Sequence, residues 1–545
     1  MGTGAEALVR ALDRIGVSVV FGVPGPDSLP LIIALRGHPL RFVGLHDPGQ
    51  AVRAADGFAR RTGKLGVAVN GPGRFPLGAR PETMESLRAE VPLLLIEIGV
   101  APPPPPGPPR AEPVTEPAIG THLHHSLSLR SADDVVAVLR QASARAQISP
   151  KTPVELRLTP GFLYAEAAVE FDDESNDEPV QRASAAIEHQ QLRRASKLVD
   201  DSQHVLIWAG GGALRANAGG AVAELAEKLG APVLTTVQAS GLLPARHPCL
   251  IGLPPHLAQV GAMWDKADLI VSIGSDLDQQ STQGWRLPPP KGLIAINVDA
   301  TAAGRNYRPD VLLRGDAKTL TKALSDVVSY RGGTAVVRSR LQDVRKAVRQ
   351  ELGQSDPQEM AFLSAVAAAL PDRTTVVADP CAAGQWLAGF HEWTLPRTLL
   401  FPSDVDDSGY ALPAAIGAVT SGSSEPVVAV LGDQGLLAGM GLLSVIAREQ
   451  LPLTLLVVDD GGAGRLRPRL AAHGADITML DRASPDFAAA ARTFGLRADS
   501  LQTVGEELTT ALRAHVAAPD PTLLVVQAAL TQPPTDESRW HRAEG

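Results

Sequence analysis

The stretch from Ser408 to Gly464 constrains this chain more than any other. Val427-Val428-Ala429-Val430-Leu431 is an apolar run of strand length that stops on Gly432-Asp433-Gln434-Gly435. A helical segment follows from Leu436 to Glu449, and a second apolar run, Leu453 to Val458, stops on Asp459-Asp460-Gly461-Gly462. Two parallel strands joined by a crossover helix carry both acidic tips to one edge of the sheet, where open α/β sheets take their ligands. Carboxylates converging there beside glycine turns suit a hard divalent cation such as Mg²⁺, which prefers oxygen ligands and often bridges to phosphate. Taken alone, an acidic pair after an apolar strand is more often a plain turn. Ahead of both strands, Ser408-Gly409-Tyr410-Ala411-Leu412-Pro413-Ala414-Ala415-Ile416-Gly417 is a small-residue run that reads as the packed start of a helix.

The N-terminal third has the same strand–helix alternation. Residues 4 to 15 place Ala7, Leu8, Ala11, Leu12 and Ile15 on one helical face. A short strand then ends on Phe21-Gly22-Val23-Pro24-Gly25, and Arg41 to His46 leads into a helix through Ala51 to Arg60. Gly66 to Val69 runs into Asn70-Gly71-Pro72-Gly73. In the middle, after a helix from Ser184 to Asp200, His204 to Trp208 delivers Ala209-Gly210-Gly211-Gly212. Strand runs recur at Ala231, Ala267 and Leu293. Further on, Thr375 to Asp379, Thr398 to Phe401 and Thr522 to Val526 are strands. This alternation predicts doubly wound parallel sheets.

Three groups of motifs make the pattern specific. Phe-Gly-Val-Pro-Gly (21–25), Ala-Asp-Gly-Phe-Ala-Arg-x-Thr-Gly-Lys (55–64) and Gly-Pro-Gly (71–73) occur in that order, and Asp433 and Asp460 are 27 positions apart. Together they resemble the thiamine-diphosphate enzyme superfamily, in particular the acetolactate synthase large subunit. The resemblance covers nearly the whole chain. It implies three doubly wound domains: pyrimidine-binding at 1–168, Rossmann-like central at 184–332 and diphosphate-binding at 356–530. A linker at 169–183 and a tail at 531–545 accompany them, and 333–355 is left unassigned.

On this resemblance Pro24, Gly25, Gly71, Pro72 and Gly73 lie on the pyrimidine side of the cofactor. Ser408, Gly409, Gly432, Gln434, Gly435 and Gly461 lie on the diphosphate side, and Asp433, Asp460 and the Gly462 carbonyl hold Mg²⁺. Gln434 replaces the last glycine of the family's Gly-Asp-Gly, Asp459-Asp460 replaces Asn-Asn, and Ser408 stands where a bulky side chain often supports the cofactor. In acetolactate synthases the central domain also takes FAD, and the triple glycine at 210–212 admits either that or a purely structural turn. The implied reaction is decarboxylation or carboligation of a 2-keto acid, with the cofactor as electron sink. The family's pyrimidine and diphosphate half-sites come from different subunits, so a homodimer or tetramer is expected.

One departure is sharp. The family glutamate that triggers cofactor activation stands eight residues before the aspartate of Ala-Asp-Gly, and here that position is Pro48. Asp47 is the adjacent carboxylate, His46 is either a base or a structural residue, and glyoxylate carboligases also work with an apolar residue there. His124-His125 resembles a catalytic pair but precedes a helix start at Asp133. Arg74-Phe75-Pro76 is unusual after Gly-Pro-Gly, and a proline run (Pro102 to Pro106) replaces a usual Phe-Gln-Glu cluster. Two alternatives therefore stay open: another thiamine-diphosphate lyase or synthase of specialised metabolism, and a non-catalytic paralogue serving as partner subunit.

The totals narrow the class further. A 545-residue chain that is 44% hydrophobic and 20% charged is long enough for several cores. A net charge of −9 without a basic stripe argues against nucleic acid. Two separated cysteines, no 18-residue apolar run and no basic-then-apolar leader lead us to expect a cytoplasmic protein off the membrane.

Overall fold

The computed structural model describes residues 2–71, 79–99, 125–159, 161–167, 188–282, 284, 286–403, 408–462, 473–474 and 485–533. Three parallel sheets organise them. The first joins β1 (Val19–Gly22), β2 (Arg41–Gly44), β3 (Gly66–Asn70), β4 (Leu93–Ile98), β5 (Ser126–Leu129) and β6 (Val154–Leu158) in the order 2-1-3-4-6-5. The second joins β7 (Val205–Ala209), β8 (Val233–Thr235), β9 (Leu269–Ile273), β10 (Leu293–Asn297) and β11 (Val311–Arg314) in the order 8-7-9-10-11. The third joins β12 (Thr375–Ala378), β13 (Leu399–Leu400), β14 (Val427–Gly432), β15 (Leu453–Asp459), β16 (Arg497–Leu501) and β17 (Thr522–Gln527) in the order 13-12-14-15-17-16.

The first and third sheets therefore share one topology. In each, the chain starts on an inner strand, adds one neighbour outward, then crosses back. The crossing leaves a topological switch point between β1 and β3, and another between β12 and β14. A crevice opens at the carboxyl ends of strands at such a point.

The sites depend on helices α1 (Gly4–Arg14), α2 (Pro48–Thr62), α3 (Arg80–Arg88), α4 (Thr334–Ser355), α5 (Ala382–Phe390), α6 (Ala411–Val419), α7 (Asp433–Gly439) and α8 (Leu442–Arg448). The single helix expected over Leu436–Glu449 is two. Gly439 and Gly441 flank Met440, and two glycines so close weaken a continuous helix enough for tertiary packing to break it. Helix α4 lies in the 333–355 gap left between the expected domains. Its sparse apolar stripe buries Leu341, Val348 and Leu352, and Arg345 donates from Nε to the Ile251 carbonyl at 3.0 Å.

Two compact units result. One comprises residues 1–182 with 412–424 and 439–453; the other comprises 183–411, 425–438 and 454–545. Within the first unit, α2 and α6 touch backbone to backbone. A methyl at Gly57 would lie 2.0 Å from the Ala414 carbonyl oxygen, and one at Gly417 would lie 1.8 Å from that of Ala54. No side chain fits at either place. This contact explains why both motifs are built of alanine and glycine. Asp56 beside it is buried, pairs with Arg60 at 2.6 Å and accepts from the Ser86 hydroxyl at 2.8 Å. Arg60 also reaches Glu85 at 2.7 Å, which ties α2 to α3.

Candidate functional site

At the switch point of the first sheet, the turns after β1 and β3 meet. A methyl on Gly25 would lie 3.0 Å from the Gly71 carbonyl oxygen, and Pro24 packs its Cγ against Gly44. Ser28 closes the first turn by accepting from the Gly25 N–H at 2.9 Å and donating back to the Gly25 carbonyl at 3.0 Å. Pro24, Gly25 and Gly71 thus come together at one strand edge. Pro72, Gly73, Arg74-Phe75-Pro76, the proline run, His124 and the acidic linker lie outside the described residues.

Helix α2 starts beside this edge. Asp47 is its N-cap, in extended conformation (φ −140°, ψ 141°), and its Oδ1 accepts from the N–H groups of Gly49 at 2.7 Å and Gln50 at 3.2 Å. Pro48 occupies the first helical position, where a missing N–H costs nothing and the ring presets φ. His46 meets the Ser444 hydroxyl through Nε2 at 2.9 Å, and the Arg448 guanidinium donates to the Gly44 carbonyl at 2.7 Å. Both contacts lie inside the first unit and hold α8 against the β2–α2 turn.

The third sheet presents acids at the ends of three adjacent strands. Asp379, following β12, is buried and accepts through Oδ1 from the Ala411 N–H at 2.7 Å and through Oδ2 from the Gly409 N–H at 3.2 Å. It fixes the turn that launches α6, with Gly409 at φ 86°. Gly435 leans on the same carboxylate: a methyl there would lie 2.0 Å from Asp379 Oδ2.

Asp433, following β14, is 5% exposed and opens α7, accepting from the Gln434 N–H at 2.7 Å and from Gln434 Nε2 at 3.2 Å. Asp459 and Asp460, closing β15, each accept the N–H two residues on, Gly461 and Gly462, at 3.0 Å. Those glycines sit at φ 75° and 105°, a left-handed backbone that side chains resist. Asp459 also accepts from Gln527 Nε2 at 3.1 Å.

Cys381, at the N-cap of α5, packs against Gly432, where a methyl would lie 3.2 Å from its Cβ. Burial, with Asp379 and Asp460 nearby adding to it, pushes its thiol up to about 12, so it stays protonated and unreactive at neutral pH. Sequence reading missed Asp379 as a site residue. Its signal was the one used for Asp433, an acid directly after a buried apolar strand.

The comparisons with known proteins decide the family. The thiamine pyrophosphate enzyme models match in all three parts: the N-terminal TPP binding domain over residues 2–101, the central domain over 192–324 and the C-terminal TPP binding domain over 381–526. The chain belongs to the thiamine pyrophosphate enzymes. Among its relatives is a probable acetolactate synthase large subunit of Methanocaldococcus jannaschii, 26% identical over 96% of this chain and 91% of the relative. A probable 2-ketoarginine decarboxylase of Pseudomonas aeruginosa is 29% identical over 97% and 94%. An acetolactate synthase of Mycobacterium bovis is 27% identical over 90% and 82%.

The residues of this thiamine pyrophosphate enzyme fit the diphosphate and its cation chemically. Asp433 and Asp460 follow neighbouring strands, their oxygens are hard donors, and at Gly461 no neighbour fills the space a side chain would take. Among the described residues no cluster of three or more His, Cys, Asp or Glu forms a metal cage. Two carboxylates, a carbonyl and phosphate oxygens are the set a magnesium ion shares with a nucleotide-like ligand. In the central domain the glycine turn has a packing role: methyls at Gly210 and Gly212 would lie 2.5 and 2.8 Å from the backbone of Gly274. No helix among the described residues is long and apolar enough to cross a membrane.

Proposed function

We propose that the protein is a thiamine-diphosphate- and Mg²⁺-dependent enzyme that decarboxylates a 2-keto acid or joins the resulting acyl unit to a second carbonyl. The observation that carries this reading is the row of strand-end acids, Asp379, Asp433 and Asp460, at the carboxyl edge of the third sheet. Asp433 and Asp460 bind the cation together with the Gly462 carbonyl, while Asp379 holds the Gly409 turn and Gly435 in place. When bound, the cofactor supplies a carbanion-stabilising ring that accepts the electrons of decarboxylation. The chain contributes the cation site and the orientation of the diphosphate by glycine turns.

Pro24, Gly25, Gly71 and the following Pro72-Gly73 form the pyrimidine side, Ser408, Gly409, Gly432, Gln434, Gly435 and Gly461 the diphosphate side. Because one chain carries both half-sites, a homodimer or tetramer completes them. FAD is no part of this reading: Gly210 and Gly212 pack against Gly274, which a nucleotide-binding turn and a purely structural one share. The test is thermal: thiamine diphosphate with Mg²⁺ raises the melting temperature, and EDTA removes the rise. A ligand at 100 times its Kd stabilises by about 2.7 kcal/mol. Absence of any shift at millimolar cofactor favours the second reading, a non-catalytic partner subunit, which Pro48 and the unusual Arg74-Phe75-Pro76 run after Gly-Pro-Gly support.

A further inference from the structure

The N-terminus of α2 has a second carboxyl that the sequence did not advertise. Glu82 lies in the first turn of α3, and its side chain folds over the start of α2. A methyl on Gly49 would lie 2.9 Å from Glu82 Cδ and 3.0 Å from its Oε1. The carboxyl therefore rests on the residue next to Pro48. Its Oε1 meets Arg53 Nη2 at 3.2 Å, and the two side chains are 13% and 14% exposed. Its Oε2 is buried and has no hydrogen-bond partner among the described residues. A buried carboxyl oxygen left unsatisfied costs stability. Such a group asks for a partner that arrives later.

The proton state of Glu82 suits a partner with a basic nitrogen. Burial pushes its carboxyl up from the ordinary value of 4.5 and outweighs the pull of Arg53, and the Asp47 carboxylate pushes the same way. A carboxyl that holds its proton more tightly than a solvated one can donate a hydrogen bond to a ring nitrogen of an aromatic heterocycle and take the proton back as charge shifts. Resting on the cofactor reading above, we propose that Glu82 is the catalytic carboxyl that serves the aminopyrimidine ring in this chain, where Pro48 offers no oxygen. The step is a proton shift: the Oε2–H bond breaks as a ring N–H bond forms, the reverse follows, and no electrons are lost or gained. Asp47 remains the helix cap, and Arg53 positions the carboxyl through Oε1.

Wild type, Glu82→Gln and Glu82→Asp test this in two states. Without cofactor, the melting temperature is followed as pH rises from 4.5. The folded state holds its proton at Glu82 more tightly than the unfolded chain does. Its contribution to stability is therefore full below 4.5 and is lost as pH climbs through the raised value. Wild type loses stability relative to Glu82→Gln across that window; parallel curves would overturn the proposal. With thiamine diphosphate and Mg²⁺, all three proteins show the thermal shift. Hydrogen–deuterium exchange at the cofactor C2 slows by about 10²–10⁴-fold in Glu82→Gln. Glu82→Asp retains the charge but withdraws it by one methylene, so it falls between and carries the test if the glutamine variant folds poorly. Adding Pro48→Glu to Glu82→Gln restores part of the rate. A full thermal shift with unchanged exchange in both variants defeats Glu82 and leaves the cofactor reading standing; no shift in wild type defeats both.

Discussion

The carboxyl edges of the first and third sheets have the same strand order but are finished in opposite ways. At the third sheet each acid belongs to the strand that presents it, and its carboxylate is held by an adjacent N–H or a neighbouring turn, as at Asp379 and Ala411. At the first sheet the strand ends carry Pro24, Gly25 and Gly71, and the charges arrive from helices: Asp47 capping α2, and Glu82 reaching over from α3. A strand-end acid is fixed by local geometry and leaves a readable sequence signature. A carboxyl delivered by a second helix depends on tertiary packing and leaves none.

The largest test of that contrast is Asp433→Ala, which removes one of the proposed cation ligands. It should abolish the melting-temperature rise with thiamine diphosphate and Mg²⁺; a surviving full shift would move the cation elsewhere. Next comes Gly57→Val, which drives a side chain into the Ala414 carbonyl. Overpacking typically costs about 1–3 kcal/mol, and this contact should cost at least the upper figure, read as a lower denaturation midpoint at unchanged slope. A loss below about 1 kcal/mol would mean that α2 and α6 separate easily. Asp47→Ala should cost about 1 kcal/mol through the lost N-cap and leave C2 exchange nearly unchanged. A collapse of exchange would instead make Asp47 the working carboxyl. The smallest effect belongs to Asp460→Asn. An amide oxygen still ligates the cation, so the thermal shift should persist, weakened only modestly by the lost charge; a complete loss would show that charge, rather than an oxygen at that spot, is required.

Much of the fold was legible because parallel strands buried on both faces read as unbroken apolar runs, as at Val427–Leu431 and Leu453–Val458. The two acids of the proposed cation site, Asp433 and Asp460, were legible for the same reason, since each follows such a run. Helix α4 was not legible, since only Leu341, Val348 and Leu352 of its 22 residues are buried, too thin a stripe to separate from linker. Nor was the break at Met440, where Gly439 packs against Leu412 from a distant part of the chain. Asp379 and Glu82 escaped for different reasons. The first had the right local signature but no motif around it; the second acquires meaning only when α3 lies across α2.

The close contact of Gly57 with Ala414, and of Gly417 with Ala54, also sets a timetable for synthesis. The first unit takes residues 412–424 and 439–453 as part of its own body, so a nascent chain of 182 residues has made every strand of the first sheet but not the helices that cover α2. At about 5–20 residues per second, the wait for residue 453 is roughly fifteen to fifty seconds. Through that interval the alanine–glycine face of α2 is bare. Carrying only small side chains, that face stays uncovered until residues 412–424 have been made and can close over it.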